Sequence, residues 1–178
     1  MKAIVAVDNK WGIGKNNGLL FRLPKDMAFF KQTTTGKVVV MGANTFLSFP
    51  NGALPNRVNI VLDDKGRDFL GATVKTNLPD LLDEVAKYPT DDVFVVGGAS
   101  VYKLLLPYCD TAYVTHVDAD GGAEVFFPNL DEKDEWQLAE CSDKVEDNGY
   151  VLAFCTYVCK NFVQNDVNSR QNTTEKSV

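Results

Sequence analysis

The 178-residue chain is expected to fold as a single α/β domain, with a mixed, mostly parallel central sheet flanked by helices and an antiparallel C-terminal hairpin. Three observations predict this class. Short runs rich in Val and Ile recur along the chain, helix-forming segments lie between them, and the last two runs follow one another with no helix between. A hydrophobic share of 45% at this length suits one substantial core.

The first strand is expected over Ala3 to Val7, bounded by Asp8. A helix then starts at Pro24, whose fixed φ suits a first turn, and continues to Lys31. Val38 to Met41 and Val58 to Leu62 read as strands buried on both faces. A helix from about Pro79 to Lys87 leads to the strand Val93 to Val96. Another, from Ala99 to Leu106, is expected to stop before Pro107. The strand Ala112 to Val117 follows. Trp136 to Cys141 and Tyr150 to Tyr157, separated by the turn-rich Ser142 to Gly149, supply the terminal hairpin. The domain is expected over residues 1–160. From 161 to 178 the chain is polar and carries too little apolar surface to offset ordering entropy, so a loose tail is expected.

A net charge of -6 and a pI near 4.8 argue against a nucleic-acid partner. Cys109, Cys141, Cys155 and Cys159 show no CxxC spacing, and His116 is the chain's single histidine, so no metal site is expected. Cys155 and Cys159 lie four apart in a strand-like run, on one face, and read as buried thiols of a protein in a reducing cytosol. The chain opens on a strand-like segment with no features of a signal peptide, and no run reaches membrane-spanning length. No membrane partner and a cytoplasmic location are expected.

Two strands run into glycine and then into a helix: Val38 to Met41 into Gly42-Ala43-Asn44-Thr45, and Val93 to Val96 into Gly97-Gly98-Ala99-Ser100. Glycine lets phosphate oxygens approach backbone N–H groups at a helix start, and two such junctions can clamp one diphosphate. A tight strand–helix connection is the plainer reading of each, and neither is a GxGxxG or Walker loop. Asp26 also carries two readings. It complements the dipole of a first helical turn. It also stands beside Met27 and Phe30, apolar surroundings that raise a carboxyl pKa towards the range useful for proton transfer. Thr115 shares a strand face with Tyr113 and Val117, either as a β-former or as a support for a carboxylate. His116 reads as structural or exposed. Arg57, following Leu54-Pro55-Asn56, is a surface cation or a planar fork for a ligand carboxylate.

Together, these residues resemble the dihydrofolate reductase family over about residues 1–160. The segments that carry the likeness are Ala6-Val7-Asp8, Ile13-Gly14 with Gly18, Leu23-Pro24-Lys25-Asp26 with Phe29-Phe30-Lys31, and Val40-Met41-Gly42 with Asn44-Thr45-Phe46. Leu54-Pro55-Asn56-Arg57, Val96-Gly97-Gly98-Ala99 with Val101-Tyr102, and Thr115-His116 complete it.

The resemblance implies hydride transfer from a nicotinamide cofactor, NADPH with NADH as the variant, to 7,8-dihydrofolate, giving tetrahydrofolate for one-carbon metabolism. It implies that Asp26 binds the pterin N3 and 2-amino group and promotes N5 protonation, with Thr115 in support. Val5, Ala6, Met27, Phe30, Phe49 and Leu54 would line the folate site, and Arg57 would hold the glutamate α-carboxylate. Cofactor contacts would come from Ala6, Gly42 to Thr45 (with Ala43 and Asn44), Leu62, Asp63, and Val96 to Tyr102 (Gly97, Gly98, Ala99, Ser100 and Val101 included). Ile13, Gly14, Gly18 and Leu19 would belong to a mobile loop closing over nicotinamide. A monomer is expected.

Three departures from the family pattern stand out. Phe21 occupies the position of the usual Trp. Ala43 and Ser100 stand where basic residues are common. Asp63 and Asp64 occupy the adenosine 2′-phosphate site, where two carboxylates facing a phosphate would weaken preference for NADPH in favour of NADH, unless Lys65, Arg67 or Lys75 restores positive charge there. Two other readings share the glycine junctions: a reductase of a riboflavin precursor, and a non-catalytic nucleotide- or folate-binding homologue.

Overall fold

The run Val38-Val39-Val40-Met41 sits at the centre of the molecule, at most 3% exposed at every position, which is why it carries no polar alternation. A computed structural model describes residues 1–162 of the chain; the tail expected beyond lies outside the described residues from 163 on. The strands of the main sheet are β1 (Lys2–Val7), β3 (Val38–Gly42), β4 (Val58–Leu62), β5 (Ala72–Lys75), β6 (Val93–Gly97), β7 (Thr111–Val117), β9 (Trp136–Cys141), β10 (Val145–Asp147) and β11 (Tyr150–Cys159). Their order is β10-β11-β7-β1-β6-β3-β4-β5, with β9 also paired to β11. All pairings from β7 to β5 are parallel, whereas β11 runs antiparallel to β7, β9 and β10. A separate pair, β2 (Gly12–Gly14) and β8 (Val125–Phe126), lies outside the main sheet.

This order places a functional crevice. The chain leaves β3 for its neighbour β4 on one side, but leaves β6 for β7 on the other, beyond β1. The carboxyl ends of β3 and β6 therefore flank a topological switch point, where open α/β sheets bind ligands.

The helices differ from expectation at their ends. α1 (Pro24–Thr34) runs a further turn, to Thr34. α2 (Ala43–Ser48) follows the first glycine junction. α3 (Leu78–Val85) starts one residue early because the Asn77 side chain accepts the Asp80 N–H and caps it. α4 (Ala99–Leu105) passes into a 3-10 turn over Leu106–Tyr108, so Pro107 lies within a tightened continuation rather than after a stop.

The terminal hairpin is more elaborate than two strands. The stretch expected as a turn contains β10, joined to β11 through Asn148 and Gly149 at φ 51° and 84°. Positive φ at both central residues is the two-residue turn that Asn-Gly favours.

β9 pairs with the far half of β11, which places Cys141 opposite Cys155 with Cα atoms 4.0 Å apart, and the two sulfurs are bonded. Cys155 is thus not the free thiol expected from its spacing to Cys159; its partner comes from the adjacent strand. Cys109 and Cys159 are free, and burial pushes the Cys109 thiol up to about 12. Opening a loop with a sequence separation of 14 is expected to lower unfolding free energy by about 3 kcal/mol. Urea unfolding of the protein with and without dithiothreitol checks this, with Cys141→Ser as the control whose midpoint reductant should not move.

Candidate active site

Asp26 sits in the first turn of α1, where Pro24 sets the helix start and no side chain at Leu23 caps it. Its Oδ1 accepts the Thr115 hydroxyl at 2.7 Å. Thr115 lies on β7 directly beside Ala6 of β1 and opposite Phe154 of β11, so three strands fix the group that holds the carboxylate. Burial raises the Asp26 pKa, the Thr115 bond opposes the rise, and the negative charge of Asp147 adds to it. A carboxyl placed this way can hold a proton nearer neutrality than a surface aspartate and can accept two N–H groups of a planar heterocycle.

Met27, 54% exposed, and the half-buried Phe30 follow it on the same helix, while Val5 is 9% exposed and Phe49 and Leu54 are half-buried. Apolar side chains left partly open on the helix of a carboxylate suit a flat aromatic ligand with one polar edge. Arg57 is held at the far side: its Nε donates to Pro55 O at 2.9 Å and its Nη1 to Thr34 Oγ1 at 3.1 Å. Partial burial lowers its pKa without threatening its charge.

Asn59, which the sequence did not single out, builds this corner. Only 3% exposed, it accepts the Leu54 N–H and donates to Leu54 O, both at 2.9 Å, and also donates to Arg57 O. Its signal is an amide in the middle of an otherwise apolar strand.

The two glycine junctions meet at the switch point. A Cβ on Gly97 or on Gly98 would lie 3.3 Å from Thr45 Oγ1, and one on Gly42 would lie 3.1 Å from Val101 Cγ2 and 3.9 Å from the Gly98 nitrogen. Neither N-cap, Gly42 or Gly98, offers a side-chain cap to its helix. Closely opposed backbones with uncapped N–H groups fit a diphosphate-bearing dinucleotide, and side chains here would fill the space that such a ligand needs. Ala43 is 9% exposed, Ala99 and Val96 are half-buried, and Asn44 and Ser100 are exposed. Val101 and Tyr102 are buried behind the junction; the Tyr102 hydroxyl donates to Ile4 O at 2.6 Å, and burial raises its pKa.

At the end of β4, Leu62 is half-buried, but Asp63 departs from expectation. Its side chain is 3% exposed and accepts the Arg67 N–H, Nε and Nη2, each at 3.0 Å. The Arg67 side chain stays 44% exposed and lies over the Phe69 ring at 5.5 Å. The Arg67 guanidinium holds the Asp63 carboxyl down to about 2. Two free carboxylates do not face outward here, because Asp63 is turned inward and paired while Asp64 alone is exposed.

The segment from Ile13 to Leu19 forms a tight hairpin. Lys15 and Gly18 exchange backbone hydrogen bonds around Asn16 and Asn17, both at positive φ, and Leu19 is 81% exposed. Gly14 O accepts the Glu124 N–H, and the Asn16 N–H reaches Glu124 Oε2 at 3.3 Å. Asp8, 1% exposed, pins the base by accepting N–H groups from Lys10, Gly12 and Gly121. Phe21 meets Tyr150 at a tilt, ring centroids 4.7 Å apart, and supports Leu23. His116 packs edge-on to Trp11 with its Nε2 3.0 Å from the Tyr157 hydroxyl, a structural place as expected.

Comparison with known proteins agrees with this geometry along nearly the whole described chain. Residues 1–159 match the family model described as dihydrofolate reductase. The dihydrofolate reductase of Bacillus subtilis is 40% identical over 161 residues, covering 89% of this chain and 94% of its own. That of Haemophilus influenzae is 36% identical over 135 residues, covering 76% and 82%. A solved dihydrofolate reductase from Enterococcus faecalis, in complex with NADP(H) and RAB-propyl, superposes with a TM-score of 0.81 at 32% identity, covering 90% of this chain and 96% of that one. With a carboxylate braced at the start of α1, glycine junctions meeting at the switch point and likeness to these relatives over most of its length, the chain belongs to the dihydrofolate reductase family.

Proposed function

We propose that the protein reduces 7,8-dihydrofolate to tetrahydrofolate, acting as a monomer through residues 1–160. The observation that carries the reading is the Asp26–Thr115 pair, a carboxylate raised by burial yet held by one hydroxyl from the neighbouring sheet. A nicotinamide dinucleotide, when bound, would supply the hydride. Asp26 binds the N3 and 2-amino edge of the pterin and favours a proton at N5. Val5, Ala6, Met27, Phe30, Phe49 and Leu54 enclose the pterin and its aryl extension, and Arg57 receives the glutamate α-carboxylate through the part of its fork not engaged by Thr34 and Pro55. Residues 13–19 exclude water while the loop is closed.

NADPH is the proposed donor. The reason for a lean to NADH, two carboxylates facing the 2′-phosphate, falls away once Asp63 is paired with Arg67, whose partly exposed guanidinium stands at that end of the site. Loss of NADPH or NADH absorbance with dihydrofolate tests both levels. We expect turnover, with kcat/KM about tenfold higher for NADPH. Turnover with NADH preferred would overturn the cofactor assignment alone, and no turnover of dihydrofolate by folded protein with either donor would overturn the reading itself.

A further inference from the structure

The helix that carries Asp26 begins without a cap of its own, and the missing partner comes from the far end of the chain. Asp147, on β10 and 5% exposed, accepts the Lys25 N–H on its Oδ2 at 2.7 Å. The same turn grips the approach to the helix twice more: Lys25 Nζ donates to Glu146 O at 2.7 Å, and Asn148 Nδ2 donates to Arg22 O at 2.8 Å. Leu23, 3% exposed, packs between these contacts against Val117 and Leu152. Successive residues of the first turn, Lys25 and Asp26, are thus tied to β10 and to β7, two elements joined through β11.

We propose that Asp147 is a positioning residue for Asp26, fixing the start of α1 so that the Asp26 carboxylate is held in register with Thr115. The proposal rests on the proposed reduction and deepens it. An N-capping carboxylate complements the helix dipole and satisfies an N–H that Leu23 leaves uncapped. Asparagine could accept the same N–H without charge. The choice of aspartate therefore has a second effect, because a negative neighbour discourages ionisation of Asp26. The other groups facing Asp26 are the neutral Thr115 hydroxyl from β7 and the Tyr102 phenol from α4, which is committed to Ile4 O; Lys25, on its own helix, is spent on Glu146 O. Asp147 is the anion in this set.

Two variants separate the roles. Asp147→Asn keeps an acceptor and removes the charge, whereas Asp147→Ala removes both. The carboxyl carbon of Asp26, followed by NMR titration of the ligand-free protein, reports its proton affinity whether or not the protein is an active reductase; kcat/KM for dihydrofolate is measured alongside. We expect the Asp26 midpoint to fall in Asp147→Asn. We also expect Asp147→Ala to lose about tenfold or more in kcat/KM, since small misplacements of a reacting group are costly, and Asp147→Asn to recover most of that loss. An Asp26 midpoint unmoved in both variants, with kcat/KM of Asp147→Ala within about twofold of the parent enzyme, would overturn the proposal. Wild-type protein inactive on dihydrofolate would instead overturn the functional reading and leave the titration to decide the coupling.

Discussion

Asp26→Asn is expected to lower kcat/KM near pH 7 by about 10²–10⁴-fold and to recover part of it in acid. The loss follows from removing the ionisable group at the pterin edge of the proposed site. The recovery follows because solution can protonate the substrate when the enzyme no longer favours that proton. The fold should survive the change. The amide oxygen that replaces the carboxylate can still accept the Thr115 hydroxyl, and the variant no longer places a charge in a buried setting.

Linkage gives the sign of the stability effect. The folded state binds the Asp26 proton more tightly than the unfolded state, so stability falls as pH rises from the ordinary carboxylate range through the raised folded value. Above that window Asp26 costs the protein stability, and Asp26→Asn should match or exceed the parent urea midpoint at pH 7 while losing turnover. A pH–rate profile shared by parent and variant would remove Asp26 from proton management.

Most strands of the parallel core, though not β5, and the two glycine junctions were legible in the sequence because burial on both faces favours runs of Val and Ile, and because a strand that meets glycine before a helix leaves a local pattern. The short strands were not. β2 and β8 hold five residues between them, two of them glycine, and have no alternation to read. β10 is three residues long, and the Asn148-Gly149 turn that exposes it was present but lay inside a stretch read as loop.

At the site, residue types singled out Asp26, Thr115 and Arg57, of which the structure pairs the first two and ties the third to Thr34 and Pro55. Direction was beyond their reach. Asp63 and Asp64 are adjacent and identical in type, yet one is buried in a pair with Arg67 and the other is exposed. Asn59 and Asp147 escaped notice, and the task of Asp8 stayed hidden, for a related reason. Each satisfies backbone N–H groups, which every residue but proline carries, so their partners leave no mark in the sequence. For Asp147 that partner is 122 residues away.

Gly97→Ala is expected to damage the protein in two separable ways, with Gly98→Ala showing only the second. Gly97 holds φ at 136°, a region open essentially to glycine, whereas Gly98 has an ordinary φ of -88°. A methyl group at either position meets Thr45 Oγ1 at 3.3 Å, and at Gly97 it also meets Tyr102 Cε2 at 3.7 Å. Backbone strain should therefore cost Gly97→Ala about 1–3 kcal/mol of stability, while Gly98→Ala stays near the parent value. Both methyl groups narrow the approach of a phosphate to the N-terminus of α4, so both variants should bind NADPH at least about tenfold more weakly, as losing one hydrogen bond to a charged group implies. Quenching of protein fluorescence by NADPH gives the affinities, and urea unfolding gives the stabilities. Parent-like NADPH affinity in a folded Gly98→Ala variant would place the dinucleotide phosphates away from this junction. Parent-like stability of Gly97→Ala would show that the backbone at the end of β6 relaxes at little cost, and that glycine stands there for the ligand rather than for the fold.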